Sequence, residues 1–203
     1  TINKDILMDT PINKPALLRQ TFELGASYSG ELLSLNKMLG SLQDAGNTVT
    51  LAGYINLLNE SGLLCGLQKF SIDNARRKAS IPKLQVYNNA LKMVYNSLSF
   101  EQSLLDRKHW GRIFESGIGA YLVSQAFTHR FEVYYWRERN DEVDFILRKN
   151  NSLIAIEVKS NAEKNTSGLD KFRQNFNPDK AFIVGEGGIT PEEFLSMNIK
   201  KLF

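Results

Sequence analysis

Sulfur and imidazole are almost missing from this chain. Cys65 is its one cysteine, so no disulfide can close within it and a thiolate zinc site has no ligand set. His109 and His129 are its only histidines, which leaves hard cations held by carboxylates as the metals it could bind. Long hydrophobic runs are absent as well. GLLCGL and GIGAYLV last a few residues, against the roughly 20 needed to cross a bilayer. No basic start followed by an apolar stretch marks a signal peptide, so a cytoplasmic protein is expected. A phosphate loop is also lacking. GASYSGEL at residues 25–32 has two suitably spaced glycines but Glu31 where the lysine must stand, and GEGGIT lacks the third glycine of a dinucleotide fingerprint and reads as a turn. Neither repeats nor low-complexity tracts occur.

What is present is an ordinary globular composition: 203 residues, 42% hydrophobic and 23% charged, enough for one or two domains with a real core. Charge is unevenly spread. Residues 1–100 carry 10 Lys+Arg against 7 Asp+Glu, and residues 101–203 carry 15 of each, so the net +3 lies in the first half. That half is the better candidate for phosphate contact. The opening TINKDILMDTPINKP begins without methionine and reads as a piece of something longer.

From Pro15 the pattern ALLRQTFELGASYSG predicts a helix opening on a first-turn proline. Behind the cap Ser34, Leu35, Met38, Leu39 and Leu42 recur at i, i+3, i+4 and i+7 and predict a second. A third starts near Asn47 or Thr48, turns Leu51, Ile55 and Leu58 inward and stops at Gly62. Two strand-like stretches then flank a polar loop in LLCGLQKFSIDNARRKASIPKLQVYN. Three helices and a basic hairpin predict a winged helix over residues 1–100. Its nucleic-acid contacts would be Thr48, Thr50, Tyr54 and Asn56 on the third helix, with Arg76, Arg77, Lys78 and Lys83 of the hairpin on phosphate. A structural spacer or protein-docking module is the alternative for the same geometry.

Residues 101–203 predict a second unit. A long helix from about Gly111 leads to three strands, FEVYYWR, EVDFILRK and LIAIEVK. A helix around LDKFRQNF and the apolar strand KAFIVG follow, and TPEEF opens a capped helix. The order is α-β-β-β-α-β, with the fourth strand parallel to the third. Taking Asn150 and Asn151 as the centre of a tight hairpin, paired residues sum to 301. Asp144 then faces Glu157, and Glu142 faces Lys159. Val143, Phe145, Leu147, Ile154, Ile156 and Val158 share one apolar face.

Opposed side chains in such a pair lie about 5 Å apart, where two carboxylates repel by roughly 3 kcal/mol at an effective dielectric near 20. A bridging divalent cation removes that repulsion. Asp144 and Glu157, with Glu115 from the long helix as a third carboxylate, would hold Mg²⁺, and Lys159 would orient a water. The alternative is a cross-strand ion pair of Glu142 and Lys159 with Asp144 tolerated at a wet edge. Trp136 and Arg137 could border the same mouth, as could Lys171, Arg173 and Gln174; packing and a solvated helix face are the competing readings.

The helix with Glu115, the EVDF strand with Asp144 and the IEVK strand with Glu157 and Lys159 resemble the PD-(D/E)xK nuclease-like fold, which is restriction-endonuclease-like. More narrowly, GRIFES, YYWR, EVDFIL and IEVKS in series resemble the C-terminal domain of unknown function of predicted prokaryotic AAA-type ATPases. The resemblance covers nearly the whole chain and implies an ATPase module, itself absent here, as a partner that would supply ATP binding in the full-length protein. It places metal binding on Glu115, Asp144 and Glu157 and catalytic assistance on Lys159. Val143 stands where the fold's name expects proline, and Ser116 where relatives often carry asparagine. Three functions follow: a non-catalytic module binding nucleic acid or a partner protein, an active Mg²⁺-dependent DNA endonuclease, or a docking and oligomerisation domain.

Overall fold

The computed structural model describes residues 14–73, 75, 77, 79–161 and 167–203. They form a mixed α/β protein with two sheets. Among them no helix is long and apolar enough to cross a membrane.

The first half follows from its caps. α1 (Pro15–Ser27) opens with proline in its first turn, where the missing N–H costs nothing. α2 (Leu35–Ser41) starts where the Ser34 hydroxyl accepts the Lys37 N–H, and α3 (Thr48–Glu60) where the Asn47 side chain accepts that of Thr50. α3 buries Leu51, Ile55 and Leu58, and Gly62, at φ 65°, turns the chain away. β1 (Leu64–Leu67) and β2 (Lys83–Val86) pair antiparallel, and Leu32 adds a single antiparallel bridge to Lys83. Leu17, Leu18, Phe22, Met38, Leu58 and Leu84 sit in one buried cluster between these helices and this hairpin.

Two short helices follow the hairpin: α4 (Asn89–Met93), capped by Asn88, and α5 (Phe100–Leu105), started by a reciprocal Ser99/Gln102 box. α6 (Arg107–His129) begins four residues before the expected Gly111, because the Asp106 carboxylate accepts the N–H groups of Lys108 and His109. Glycines inside this helix admit neighbours. A Cβ on Gly119 would collide with the Gln85 amide and the Phe145 ring.

The large sheet runs β3 (Glu132–Glu138), β4 (Asp141–Lys149), β5 (Ser152–Lys159) and β6 (Lys180–Gly185) in that spatial order. The first three are antiparallel neighbours, and β6 lies parallel to β5 across the crossover helix α7 (Ser167–Phe176). α8 (Pro191–Ser196) is capped by Thr190, and one 3₁₀ turn (Ile199–Leu202) ends the chain. One face of the sheet, with Phe145, Leu147, Ile154, Ile156 and Val158, packs on α6, on Phe194 and on Cys65 and Leu67 of the first half. The other, with Tyr134, Trp136, Ile146 and Ala155, packs on Leu169 and Phe172 of α7.

Val143 corrects the expected apolar face: it joins the α7 side, not the face of Phe145. Tyr134 pairs with Ile146 but Trp136 pairs with Val143, so Asp144 and Phe145 together oppose Tyr135. That extra residue is a β-bulge, and it reverses the alternation at the acid of interest.

Polar contacts sew the halves together. The Gln85 amide donates to Ser116 O (2.9 Å), the Ser29 and Ser116 hydroxyls lie 2.7 Å apart, and Phe70 N donates to Tyr135 O (2.6 Å).

Candidate functional site

The hairpin turn holds the expected register. Phe145 pairs with Ile156, Ile146 with Ala155 and Lys149 with Ser152, each summing to 301, and Asn150 takes positive φ at 53°. The ladder ends at Phe145 and Ile156, one pair short of Asp144 and Glu157. Beyond it the strands part: Glu142 pairs with Arg137 of β3, and Lys159 pairs with Gly185 of β6. Glu142 therefore does not face Lys159, because the bulge carries the start of β4 away from β5. In the fork between them the Asp144 carboxylate accepts the Val158 N–H at 2.8 Å.

A cation from the other half enters this fork. Lys83 Nζ lies 2.5 Å from Glu115 Oε1 and 3.8 Å from Asp144 Oδ1, donates to Asp144 O at 3.2 Å, and sits 4.7 Å from the Phe145 ring centroid. Lys83 is 6% exposed and Asp144 5%. Burial alone would lower the lysine's pKa; the carboxylates of Glu115 and Asp144 outweigh it and hold the ammonium above its ordinary 10.5. The pair forms the floor of a polar cleft of about 390 Å³, walled by Glu31, Arg112, Arg137 and Glu142.

Glu157 and Lys159 are also buried. Ile154, Ile156 and Val158 point to the α6 side and Ala155 to the α7 side, so alternation sends Glu157 and Lys159 to the face opposite Glu115. Among the described residues no group of three or more Asp, Glu, His or Cys side chains is disposed to hold a metal ion. The Mg²⁺ expected from sequence does not fit this arrangement: two acids already share an ammonium, and the third lies across the strand.

The expected nucleic-acid contacts scatter. Thr48 and Thr50 are half-buried, and the Thr50 hydroxyl donates to the Asn47 cap at 3.2 Å. Tyr54 packs on the first core and its OH donates to Lys14 O at 3.4 Å. Asn56 is exposed. Arg77 donates to the Tyr134 hydroxyl at 3.0 Å, its guanidinium 5.4 Å from that ring's centroid. Lys83, expected on phosphate, is buried between Glu115 and Asp144. Arg76 and Lys78 lie outside the described residues.

Three of the other residues singled out for the mouth have structural partners. Trp136 is buried against Phe172 and Phe176. Lys171 pairs with Asp141 at 3.0 Å, and Arg173 with Asp170 at 3.1 Å and the Ala181 carbonyl at 2.9 Å. Gln174 is exposed. Glu31, which spoils the phosphate-loop pattern, pairs with Arg112 at 3.1 Å.

What sequence reasoning missed is the inward face of β2. All four residues of K-L-Q-V are buried. Leu84 and Val86 fill the first core, while Lys83 and Gln85 reach Glu115 and Ser116 of α6. The polar alternation was visible, but its partners lie about 30 residues away in sequence.

The family model described as Domain of unknown function (DUF8612) matches residues 1–102, half of the chain, and that of Domain of unknown function (DUF4143) matches residues 110–194. The chain belongs to the DUF8612 family and is similar to DUF4143 over the second stretch. No curated protein and no solved structure matches it.

Proposed function

We propose that this chain is a non-cleaving recognition module whose partner is a protein: a winged-helix-like half fused to a PD-(D/E)xK nuclease-like half, carried in a larger ATPase-linked protein. The observation that carries it is Lys83 between Glu115 and Asp144. Metal-assisted phosphodiester hydrolysis needs a hydrated divalent cation on converging carboxylates. Here an ammonium neutralises two of them from inside the fold. A unit pair at this range attracts by roughly 4 kcal/mol at an effective dielectric of 20. A metal would have to overcome that and pay for the stranded lysine.

Support for a protein partner comes from α3. Its outward row runs Val49, Ala52, Gly53, Asn56, Glu60, with Val49 78% exposed, and it carries no cation to meet phosphate. Of the hairpin cations among the described residues, Lys83 is consumed inside and Arg77 stacks on Tyr134.

The test combines cleavage and retention. Plasmid and branched DNA with Mg²⁺ or Mn²⁺ should stay intact, and a fluorescent unphosphorylated duplex at low salt should show no anisotropy rise with the chain. Cleavage abolished by Asp144→Asn, or duplex binding with a steep salt dependence, would overturn the proposal.

A further inference from the structure

A second cleft, of about 460 Å³, opens between α1, α2, α4 and α6. It shares only the Glu31–Arg112 pair with the cleft above Lys83. Its character differs: cations outnumber acids. Lys37, Lys92 and Arg112 line it with His109, and the one acid in the lining, Glu31, is engaged by Arg112 at 3.1 Å.

Lys92 is the unusual member. It is 6% exposed, yet no described carboxylate forms an ion pair with it. Its Nζ donates to Ser29 O at 2.8 Å and Ser27 O at 3.2 Å, at the end of α1. An ammonium has three donors, so one remains. Burial, the largest influence on this lysine, lowers its pKa, and the Glu31 carboxylate offsets that only in part. Burying a cation against carbonyls alone is costly, and an anion in the cleft would supply the missing countercharge.

Two aromatic rings border the same space. Lys37 Nζ sits 5.9 Å from the Tyr28 centroid, and Tyr95, 39% exposed, rests edge-on against Phe22 at 6.3 Å. Cations beside aromatic rings suit a ligand with a phosphate at one end and a planar ring at the other. The cleft volume falls in the range of small-molecule sites, about 300–1,000 Å³. His109 adds a directed group. The Asn96 Oδ1 accepts the Leu98 N–H at 3.3 Å and lies 2.9 Å from His109 Nε2, which fixes the ring proton on Nε2.

We infer that this cleft binds a phosphate-bearing ligand of mononucleotide size, its phosphate on Lys92, Lys37 and Arg112 and its base beside Tyr28 and Tyr95. The source is a free nucleotide or the phosphorylated end of a nucleic-acid strand, which present the same chemistry.

Calorimetric titration of the chain with ADP, adenosine, tripolyphosphate and a 5′-phosphorylated dinucleotide tests this. ADP should bind at least about tenfold more tightly than adenosine, because adenosine offers the cations nothing. Tripolyphosphate should bind more weakly than ADP, because it offers the rings nothing. A dinucleotide tighter than ADP assigns the source to a strand end, and the reverse order assigns it to a free nucleotide. Lys37→Gln and Tyr95→Ala alter exposed side chains and leave the fold standing. Each should weaken ADP by roughly tenfold, one flattening the salt dependence and the other leaving it unchanged. Lys92→Met should abolish binding, and a thermal melt separates that loss from unfolding. ADP failing to bind at millimolar concentration to a chain that melts cooperatively overturns the site. Tripolyphosphate and ADP binding equally overturns the assignment of the rings.

Discussion

Replacing Lys83 by methionine keeps most of the side chain's volume and removes its charge, so it isolates the ammonium. In the native chain that charge lies 2.5 Å from Glu115 Oε1 and 3.8 Å from Asp144 Oδ1, in a site where Lys83 is 6% exposed. The variant leaves two carboxylates facing a thioether. Breaking one side of a buried ion pair costs about 3–5 kcal/mol, because the survivor keeps its desolvation penalty. For a chain of this length each kcal/mol moves Tm by roughly 2–4 °C, so a fall of about 6–20 °C is expected. Adding Glu115→Gln removes one stranded charge, and the double variant should recover a large part of the loss, a coupling of about 1–3 kcal/mol in a double-mutant cycle. The pH dependence has a definite sign. The folded pKa of Lys83 is raised above 10.5, so its contribution is complete below the unfolded value and fades only as pH climbs through the folded one. The difference between wild type and Lys83→Met should therefore stay flat from about pH 6 to about pH 9 and shrink in more alkaline solution. Urea titrations across that range measure it. A Lys83→Met chain within 1 kcal/mol of wild type at neutral pH would refute the idea that this ammonium holds the site together.

Other perturbations probe the surrounding fold. A Cβ at Gly168 would run into the Glu142 backbone, whereas one at Gly53 meets nothing within 4 Å; urea melts should show Gly168→Ala losing about 1–3 kcal/mol and Gly53→Ala gaining roughly 0.5–1. Asn150 sits at φ 53°, so Asn150→Val should cost about 1–2 kcal/mol and Asn150→Gly close to nothing in the same assay. Burial pushes the Cys65 thiol up to about 12; it should resist a disulfide reagent in the native chain near neutral pH and react fully in urea.

The elements legible in sequence are those set by local chemistry. Ser34 and Thr190 cap the helices they were expected to cap, α3 starts at Thr48 as expected, and Leu51, Ile55 and Leu58 bury its expected stripe. The Asn150–Asn151 turn and the parallel placement of β6 also follow from local signals and chain connectivity. The misses share a different cause. The bulge at Asp144 and Phe145 has no glycine or proline to announce it; it shows only in the shift of the β3–β4 register. A single added residue was enough to move Val143 across the sheet and uncouple Glu142 from Lys159. α4 and α5 are too short for periodicity, and their caps were the only clue. Of the expected site, Glu115, Asp144, Glu157 and Lys159 were legible as three acids and a lysine on the long helix and two strands. What was not legible is that Lys83, read as a loop cation, reaches Glu115 and Asp144 from a separate hairpin.

That arrival changes what the two halves are to each other. β2 turns Leu84 and Val86 into the helical core of the first half and Lys83 and Gln85 toward α6 of the second. One four-residue strand thus carries the hydrophobic closure of one unit and the countercharge of the other. Cys65 and Leu67 of the paired strand complete the core on Phe145 and Ile156. Separating the halves would expose that apolar face and leave Glu115 and Asp144 without their cation, an electrostatic penalty added to a hydrophobic one. On the proposed recognition function, a junction tied in both ways suits a module that passes a binding event at α3 or in the cationic cleft to the sheet behind it.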